Sequence, residues 1–120
     1  MSDRMRRVNA ALREVVSESI SGLADPRIGF VTVTQVRASP DLAQATVYVS
    51  VLGSERRRER TLQALGAAHG AIQQQVGQEL RMKRTPKLLF AYDETVDRAA
   101  RINSLLDSAA GSSPGGESDR

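Results

Sequence analysis

The residues best equipped for chemistry in this sequence are its basic side chains. Of 17 basic residues, 15 are arginine, and only Lys83 and Lys87 are lysine. The guanidinium group is planar, and its hydrogen-bond donors match phosphate oxygens and its face stacks on flat rings. GC-rich coding would, however, produce the same excess of arginine without any functional reason. The basic residues form three clusters: Arg4, Arg6, Arg7 and Arg13; Arg56, Arg57, Arg58 and Arg60; and Arg81, Lys83, Arg84 and Lys87.

The clusters differ in the acids that accompany them. No acid lies between Leu80 and Asp93, so the third cluster favours phosphate contact as strongly as it favours a solvated turn. Glu55 and Glu59 alternate with the arginines of the middle cluster, which favours an ordinary solvated helix start. The first cluster favours RNA only slightly by itself. If RNA is the partner, we expect the third cluster, helped by the first, to neutralise its phosphates.

Other functional groups are too few for the usual kinds of catalysis or metal binding. The absence of cysteine excludes a thiolate nucleophile, a disulfide and a cysteine zinc site. The single histidine, His69, lies between alanine and glycine, which is typical of a packing or surface histidine. Asp93, Glu94 and Asp97 follow a strand, where acids serve to start a helix. We predict no catalytic residue, no metal and no cofactor.

Length and charge set the broad class. A chain of 120 residues corresponds to one domain, and its net charge of +3 leans only weakly towards polyanions. No apolar run approaches the ~18 residues of a membrane helix. Arginines near the start are not followed by an apolar segment, so no signal peptide is expected. These features predict a soluble, cytoplasmic protein.

The first half of the chain reads as one helix and two strands. Apolar residues recur at three- and four-residue steps over residues 3–23, which predicts an amphipathic helix. Residues 30–36 are rich in β-branched side chains, and residues 43–51 alternate between apolar and polar. The turn residues Ser39, Pro40 and Asp41 separate these strands, so we expect an antiparallel hairpin.

The second half reads as a bent helical region and a third strand. Helical spacing holds over residues 55–82, but three glycines interrupt it, and we expect a kink at Ala68, His69 and Gly70. Pro86 ends the helix, and residues 88–92 make a strand. Thr95 is a candidate cap for one more helix, whose packing against the core the sequence does not reveal. We expect the domain to span residues 1–108 and residues 109–120 to form a disordered tail.

This order predicts an α+β fold, α-β-β-α-kink-α-β, with helices on one face of a three-stranded sheet. The same order occurs in K-homology domains of type II, which clamp RNA backbone at a Gly-x-x-Gly loop between two helices. The chain has no Gly-x-x-Gly at that junction and carries Ala68, His69 and Gly70 instead.

Four stretches of the sequence resemble the bacterial ribosome-binding factor A family. They are residues 25–34 (DPRIGFVTVT), 39–42 (SPDL), 45–53 (ATVYVSVLG) and 80–93 (LRMKRTPKLLFAYD). Together with the helix around Arg7 and Val8, the resemblance runs in unbroken order from about Arg4 to Leu106. It implies a single K-homology-like domain in which an Ala-x-Gly kink joins the helix pair, at Ala68, His69 and Gly70.

The resemblance also implies a role. Members of this family are non-enzymatic factors that bind the immature small (30S) ribosomal subunit and its 16S rRNA. They assist late maturation near the 5′ end of that RNA and support growth in the cold. Other assembly factors are possible partners, and we expect a monomer that does not bind membranes.

Two departures and two alternatives remain. Thr95 stands where the family usually has serine, and the sequence beyond Ala110 shows no family pattern.

A protein-binding adaptor that uses the first helix or a sheet face would carry the same basic surface incidentally. A general reader of single-stranded RNA is disfavoured by the missing Gly-x-x-Gly and by the few aromatic residues.

Overall fold

The computed structural model describes residues 2–111. Its elements within that range are α1 (Asp3–Ser21), β1 (Val31–Ala38), β2 (Gln44–Val51), α2 (Glu55–Ala67), α3 (His69–Leu80), β3 (Lys87–Tyr92) and α4 (Glu94–Gly111). No helix within these residues is long and apolar enough to cross a membrane. The predicted order α-β-β-α-kink-α-β is confirmed, and α4 follows it.

Helix α1 has clear start and stop signals. The hydroxyl of Ser2 accepts a hydrogen bond from the backbone N–H of Met5 at 3.2 Å, which satisfies one of the free amides of the first turn. At the other end, the N–H of Gly22 donates to the carbonyls of Glu18 and Ser19. The apolar stripe of the helix is buried, and its largest fully buried members are Leu12 and Val16.

The sheet has the order β1-β2-β3, with β2 in the centre. Strands β1 and β2 are antiparallel, with Ala38 opposite Ala45, as the predicted hairpin requires. Strand β3 runs parallel to β2, with Lys87 opposite Gln44. Parallel neighbours need a long crossover connection, and the α2–α3 pair supplies it.

The turn between β1 and β2 is held by Asp41. Its carboxylate accepts hydrogen bonds from the hydroxyl of Ser39 at 2.7 Å and from the N–H of Ala43 at 3.1 Å. These hydrogen bonds, the Ser39 bond foremost, hold the pKa of Asp41 below its usual value. The short polar turn therefore fixes the hairpin register, as the Ser-Pro-Asp signal predicts.

The hydrophobic core lies between the sheet and the helices. Helix α1 packs on β1 and α3, α2 packs on β2 and β3, and α3 packs on β3. The period-two pattern of β2 is confirmed, because its alternate residues are buried: Ala45, Val47, Val49 and Val51. Their neighbours Thr46, Tyr48 and Ser50 point to the opposite face and are half-buried. The core is almost entirely aliphatic.

Helix α4 begins differently from the sequence-based expectation. The carboxylate of Asp93, rather than Thr95, caps its first turn and accepts the backbone N–H of Thr95 at 2.9 Å. Asp93 is the better cap because its carboxylate also attracts the positive end of the helix dipole. The apolar side chains of Ile102, Leu105 and Leu106 are exposed, so they contribute little to the core.

The predicted boundary at residue 108 falls inside α4. This helix continues to Gly111, three residues beyond the predicted end of the domain, since Ala109 and Ala110 are strong helix formers. The remainder of the predicted disordered tail, residues 112–120, lies outside the described residues.

Candidate nucleic-acid interface

The third basic cluster occupies the loop between α3 and β3. Helix α3 ends at Arg81, whose backbone takes the left-handed conformation (φ 51°, ψ 42°) and turns the chain out of the helix. Lys83 and Arg84 are exposed in the following loop. Lys87 starts β3, and its N–H donates to the carbonyl of Ala43 at 2.9 Å. The loop therefore lies at the end of the sheet where β2 and β3 begin.

The orientation of α1 follows from two hydrogen bonds to β1. The side-chain oxygen of Asn9 accepts the N–H of Ala38 at 2.9 Å, and Nε of Arg13 donates to the carbonyl of Val33 at 3.4 Å. Residue 9 thus faces the end of β1 and residue 13 its middle. Helix α1 runs antiparallel to β1, and its first residues lie beyond Ala38, at the end of the sheet that carries the α3–β3 loop.

The structure thus brings most of two distant clusters together. We call this surface the basic end; its residues are Arg4, Arg6, Arg7, Arg81, Lys83, Arg84 and Lys87. All seven are exposed. Arg6 lies 3.5 Å from Asp3, and this exposed pair leaves most of the positive charge uncompensated. The arrangement suits a polyanion such as an RNA backbone.

Arg13 does not join the basic end. It lies nine residues after Arg4, or about 13 Å further along the helix. Its guanidinium bonds to the Val33 carbonyl beside a bulge in β1, where the register shifts between Val33 and Gln35. We interpret Arg13 as a side chain that ties α1 to the sheet.

Sequence reasoning missed Arg37 at the same end. It is isolated among uncharged residues, so it belongs to no cluster, yet it is exposed near the end of β1. The alternation of side chains along a strand could have indicated this position. Adjacent residues of a strand point to opposite faces of the sheet, and because Ala38 is half-buried, Arg37 points outward.

The predicted kink is confirmed at Ala68. Its backbone (φ −91°, ψ 1°) departs from helical geometry and separates α2 from α3. Nδ1 of His69 donates to the carbonyl of Gly66 at 2.7 Å, which satisfies one of the last carbonyls of α2. No side chain caps the first amides of α3. A Cβ atom at Gly66 or Gly70 would meet no neighbouring group within 4 Å, so the backbone here is open to a ligand.

The middle cluster forms a separate feature at the opposite end of the sheet. Its arginines 56, 57 and 60, together with Arg27, Pro26, Gly29 and Ser54, line an open cleft of about 260 Å³. Arg58 lies elsewhere, with its guanidinium 4.4 Å from the ring centre of Tyr92. We call the four cleft arginines, Arg27, Arg56, Arg57 and Arg60, the arginine cleft.

Among the acids after β3, Asp93 has structural partners. Asp93 is buried, and its carboxylate accepts the hydroxyl of Thr34 at 2.5 Å as well as the N–H of Thr95. These bonds, led by that of Thr34, hold the pKa of Asp93 below its usual value. The predicted helix-start role of Asp93 is confirmed. The described residues contain no group of three or more potential metal ligands.

Comparison with known proteins identifies the family. The sequence model of the family described as ribosome-binding factor A matches residues 4–106. The crystal structure of ribosome-binding factor A from Thermus thermophilus is similar, at 33% identity, with a TM-score of 0.68 over 73% of this chain and 93% of that one. A Thermotoga maritima protein described as a putative ribosome-binding factor A, solved by NMR, gives 30% identity, a TM-score of 0.70 and coverages of 76% and 88%.

A third similar structure comes from a protein in complex with the 30S subunit. It is a homology model of the Thermus thermophilus factor fitted into a cryo-EM map of a 30S–RbfA complex, with 34% identity, a TM-score of 0.62 and coverages of 72% and 91%. The predicted K-homology-like α+β fold is confirmed by these similarities. With its family match over residues 4–106, the chain belongs to the ribosome-binding factor A family.

Proposed function

We propose that this protein is a non-enzymatic assembly factor that binds the immature small ribosomal subunit through its 16S rRNA. It acts in the cytoplasm as a monomer, assists late maturation at the 5′ end of that RNA, and supports growth in the cold. The relative from Thermus thermophilus that has been fitted into a 30S complex supports the choice of partner. Its similarity to this chain extends over 91% of its length.

The observation that carries the proposal is the placement of two basic clusters at one end of the sheet. Residues 4–7 and residues 81–87 are far apart in sequence, and only the fold places them at the same end. Arg81 adds to the argument, because it holds a left-handed conformation that glycine adopts without cost. An arginine at such a position indicates that the side chain is used for binding.

The kink offers a second point of contact. The first amides of α3 have no side-chain cap, and such amides favour phosphate groups at a helix start. Gly70 has no Cβ to obstruct an approaching RNA backbone. K-homology domains hold RNA backbone at the corresponding junction, so the kink is a second candidate contact for RNA.

Charge reversal at Arg81 and Arg84 tests the proposed function. We expect the Arg81→Glu, Arg84→Glu variant to lose most co-sedimentation with purified small subunits, because each phosphate contact contributes about 0.7–0.9 to the slope of log affinity against log salt. Both side chains are exposed, so the thermal unfolding transition should remain. The matched control reverses Arg98 and Arg101, two exposed arginines of α4.

The comparison with the control decides whether the basic end is the contact surface. Normal binding by the control and weak binding by the Arg81, Arg84 variant would support the assignment. Undiminished co-sedimentation of that variant, or an equal loss in the control, would contradict it.

A protein-binding adaptor is the second candidate. The exposed Ile102, Leu105 and Leu106 of α4 favour it, because they recur at helical spacing without core contacts. An adaptor's affinity should respond weakly to salt and should survive nuclease treatment of the subunit. Binding through RNA should weaken steeply with salt and be released by nuclease.

The maturation role has its own measurement. Cells depleted of this protein should accumulate small-subunit RNA with an unprocessed 5′ end, and more so at low temperature. Primer extension across the 5′ end of the 16S rRNA measures this directly. Fully processed RNA in depleted cells at every temperature would contradict the maturation role.

A further inference from the structure

The arginine cleft is a second positively charged surface that the proposed contact at the basic end leaves unused. It lies between the loop that precedes β1 and the start of α2, where Gly29 and Ser54 line it together with Arg27, Arg56 and Arg57. Strands β1 and β2 are each eight residues long, so this cleft and the basic end are about 25 Å apart along the sheet.

Two of the four cleft arginines, Arg27 and Arg57, have defined neighbours. Arg27 forms a two-pronged pair with Asp25, in which Nε lies 3.1 Å and a terminal nitrogen 2.8 Å from the carboxylate oxygens. The buried hydroxyl of Thr61 donates to the carbonyl of Arg27 at 3.3 Å and so fastens this loop to α2. Arg27 is therefore oriented in advance of any ligand, which lowers the entropic cost of binding.

The side chain of Arg57 passes close to two glycines. It passes so close to Gly53 that a Cβ there would lie 2.6 Å from Cδ of Arg57, and a Cβ on Gly29 would lie 3.6 Å from the same atom. Gly53 also has a φ of 128°, which disfavours other residues. These two glycines leave room for the Arg57 stem to lie across the cleft.

The acids of α2 do not line the cleft. Glu55 and Glu59 alternate with the arginines in sequence, but neither is among the residues of its wall. Residues 56, 57 and 60 share one side of the helix because positions three and four apart are neighbours. Asp25, in the loop before β1, pairs with Arg27 and offsets its charge. The positive charge of the cleft therefore comes from Arg56, Arg57 and Arg60, and it favours an anion with several phosphates.

Two exposed apolar residues lie within two positions of cleft residues in the sequence. Phe30 follows Gly29 directly and is 79% exposed, and the N–H of Leu52 donates to the carbonyl of Phe30 at 3.1 Å. Leu52 is 72% exposed. An exposed aromatic ring beside clustered arginines combines a stacking surface with phosphate-binding groups, which is how proteins bind single-stranded RNA.

We propose that the arginine cleft holds backbone phosphates of a single-stranded RNA segment while Phe30 stacks on a neighbouring base. The inference rests on the proposed function, since it adds a second contact to the same RNA-rich particle. At about 260 Å³ the open cleft is smaller than the ~300–1,000 Å³ typical of sites that enclose a whole small molecule. It suits a chain that passes across it.

The test uses the full chain and a fluorescein-labelled, single-stranded RNA of twelve nucleotides with mixed A and U, followed by fluorescence anisotropy. Arg56→Gln with Arg60→Gln removes two exposed cleft charges, and Arg98→Gln with Arg101→Gln is the control of equal charge change. We expect the cleft variant to bind the RNA about tenfold more weakly at ~0.1 M salt. The slope of its log affinity against log salt should also be smaller in magnitude by about 1.4. Both effects should be much smaller in the control.

Phe30 is tested by two substitutions that separate stacking from apolar docking. Phe30→Tyr keeps a flat ring and should bind RNA like the wild type, whereas Phe30→Leu keeps only apolar surface and should lose about fivefold or more. The same variants should weaken co-sedimentation with purified small subunits in the same order. Thermal unfolding by circular dichroism confirms that each variant is folded.

Several results would overturn the cleft proposal. The proposal would be contradicted if the cleft variant bound the oligonucleotide with wild-type affinity, or if the control lost as much affinity as the cleft variant. It would also be contradicted if Phe30→Leu bound the oligonucleotide fully. That last result would show that Phe30 does not stack on RNA, as expected if its apolar surface binds a protein instead. Failure of the proposed function looks different. In that case the wild type would not sediment with small subunits, while the oligonucleotide experiment would still measure RNA binding at the cleft.

Discussion

Among single residues, Arg81 stands out because its backbone conformation opposes local preference. It occupies the left-handed position at the end of α3, where glycine is the usual residue. We predict that Arg81→Gly raises the free energy of unfolding by about 0.5–1 kcal/mol, because it removes the steric cost of the left-handed conformation. The same change should weaken binding to small subunits. Urea unfolding and co-sedimentation measure the two effects.

A less stable Arg81→Gly variant would show that the backbone at this position carries no strain. A more stable variant with undiminished subunit binding would show that the side chain is not a contact. Arg84→Gly provides the comparison, because its backbone has no positive φ and glycine there brings no relief of strain.

Asp93 gives the fold a dependence on pH. Its hydrogen bonds with Thr34 and Thr95 hold its folded pKa below the ordinary value. A lowered folded pKa means that the carboxylate stabilises the fold fully above the unfolded pKa of about 3.9, and that this contribution disappears as the pH falls through the folded pKa. We predict that Asp93→Asn lowers the free energy of unfolding by about 1 kcal/mol at pH 7. The difference in the free energy of unfolding between this variant and the wild type should shrink below about pH 4.

Urea unfolding across the range from about pH 2.5 to 7 measures this difference. If the difference in the free energy of unfolding between Asp93→Asn and the wild type stayed constant over this pH range, that would contradict the stabilising role of the Asp93 carboxylate.

At the scale of elements, the kink between α2 and α3 does not arise from close packing at its glycines. The space around Gly66 and Gly70 is open, whereas Gly77 is the helical glycine that meets a neighbour, since a Cβ there would lie 2.8 Å from Oγ1 of Thr85. The break occurs at Ala68, whose backbone leaves the helical conformation. The glycines beside the kink therefore keep the surface open, and of these three only Gly77 is required for packing.

We predict that Gly70→Ala stabilises the fold by up to about 1 kcal/mol, because alanine favours helix and meets nothing here. The added methyl group should nevertheless weaken subunit binding, since it covers the open amides of α3. Gly66→Ala is the control with the same gain in helix propensity. A destabilised Gly70→Ala protein, or one that binds as well as wild type, would contradict the role of the open backbone.

Most elements could be predicted from sequence, but not their relative placement. The alternation of residues 43–51 and the helical spacing of residues 55–82 reflect local periodicity, which the sequence shows directly. The placement of the α3–β3 loop at the same end of the sheet as Arg7 depends on the parallel pairing of β3 with β2, which the sequence does not show. The sequence alone favours a solvated helix start for Arg56, Arg57 and Arg60, because Glu55 and Glu59 alternate with them. It does not show that Arg27, from a separate loop, lines the same cleft.

At the scale of the whole molecule, a modest net charge of +3 is distributed as two basic surfaces at opposite ends of one sheet. The basic end and the arginine cleft lie about 25 Å apart, so a single particle of folded RNA must present two sites to engage both. Two linked contacts raise the affinity well above that of either one and fix the orientation of the protein.

From the proposed function, we expect this protein to bind the small ribosomal subunit before that subunit enters translation. Sucrose-gradient fractionation of cell extracts, with immunodetection of the full chain in each fraction, measures this. The predicted result is co-migration with free small subunits, loss of that peak at high salt, and absence from translating ribosomes. Detection of the protein only at the top of the gradient, or throughout the polysome fractions, would contradict this expectation.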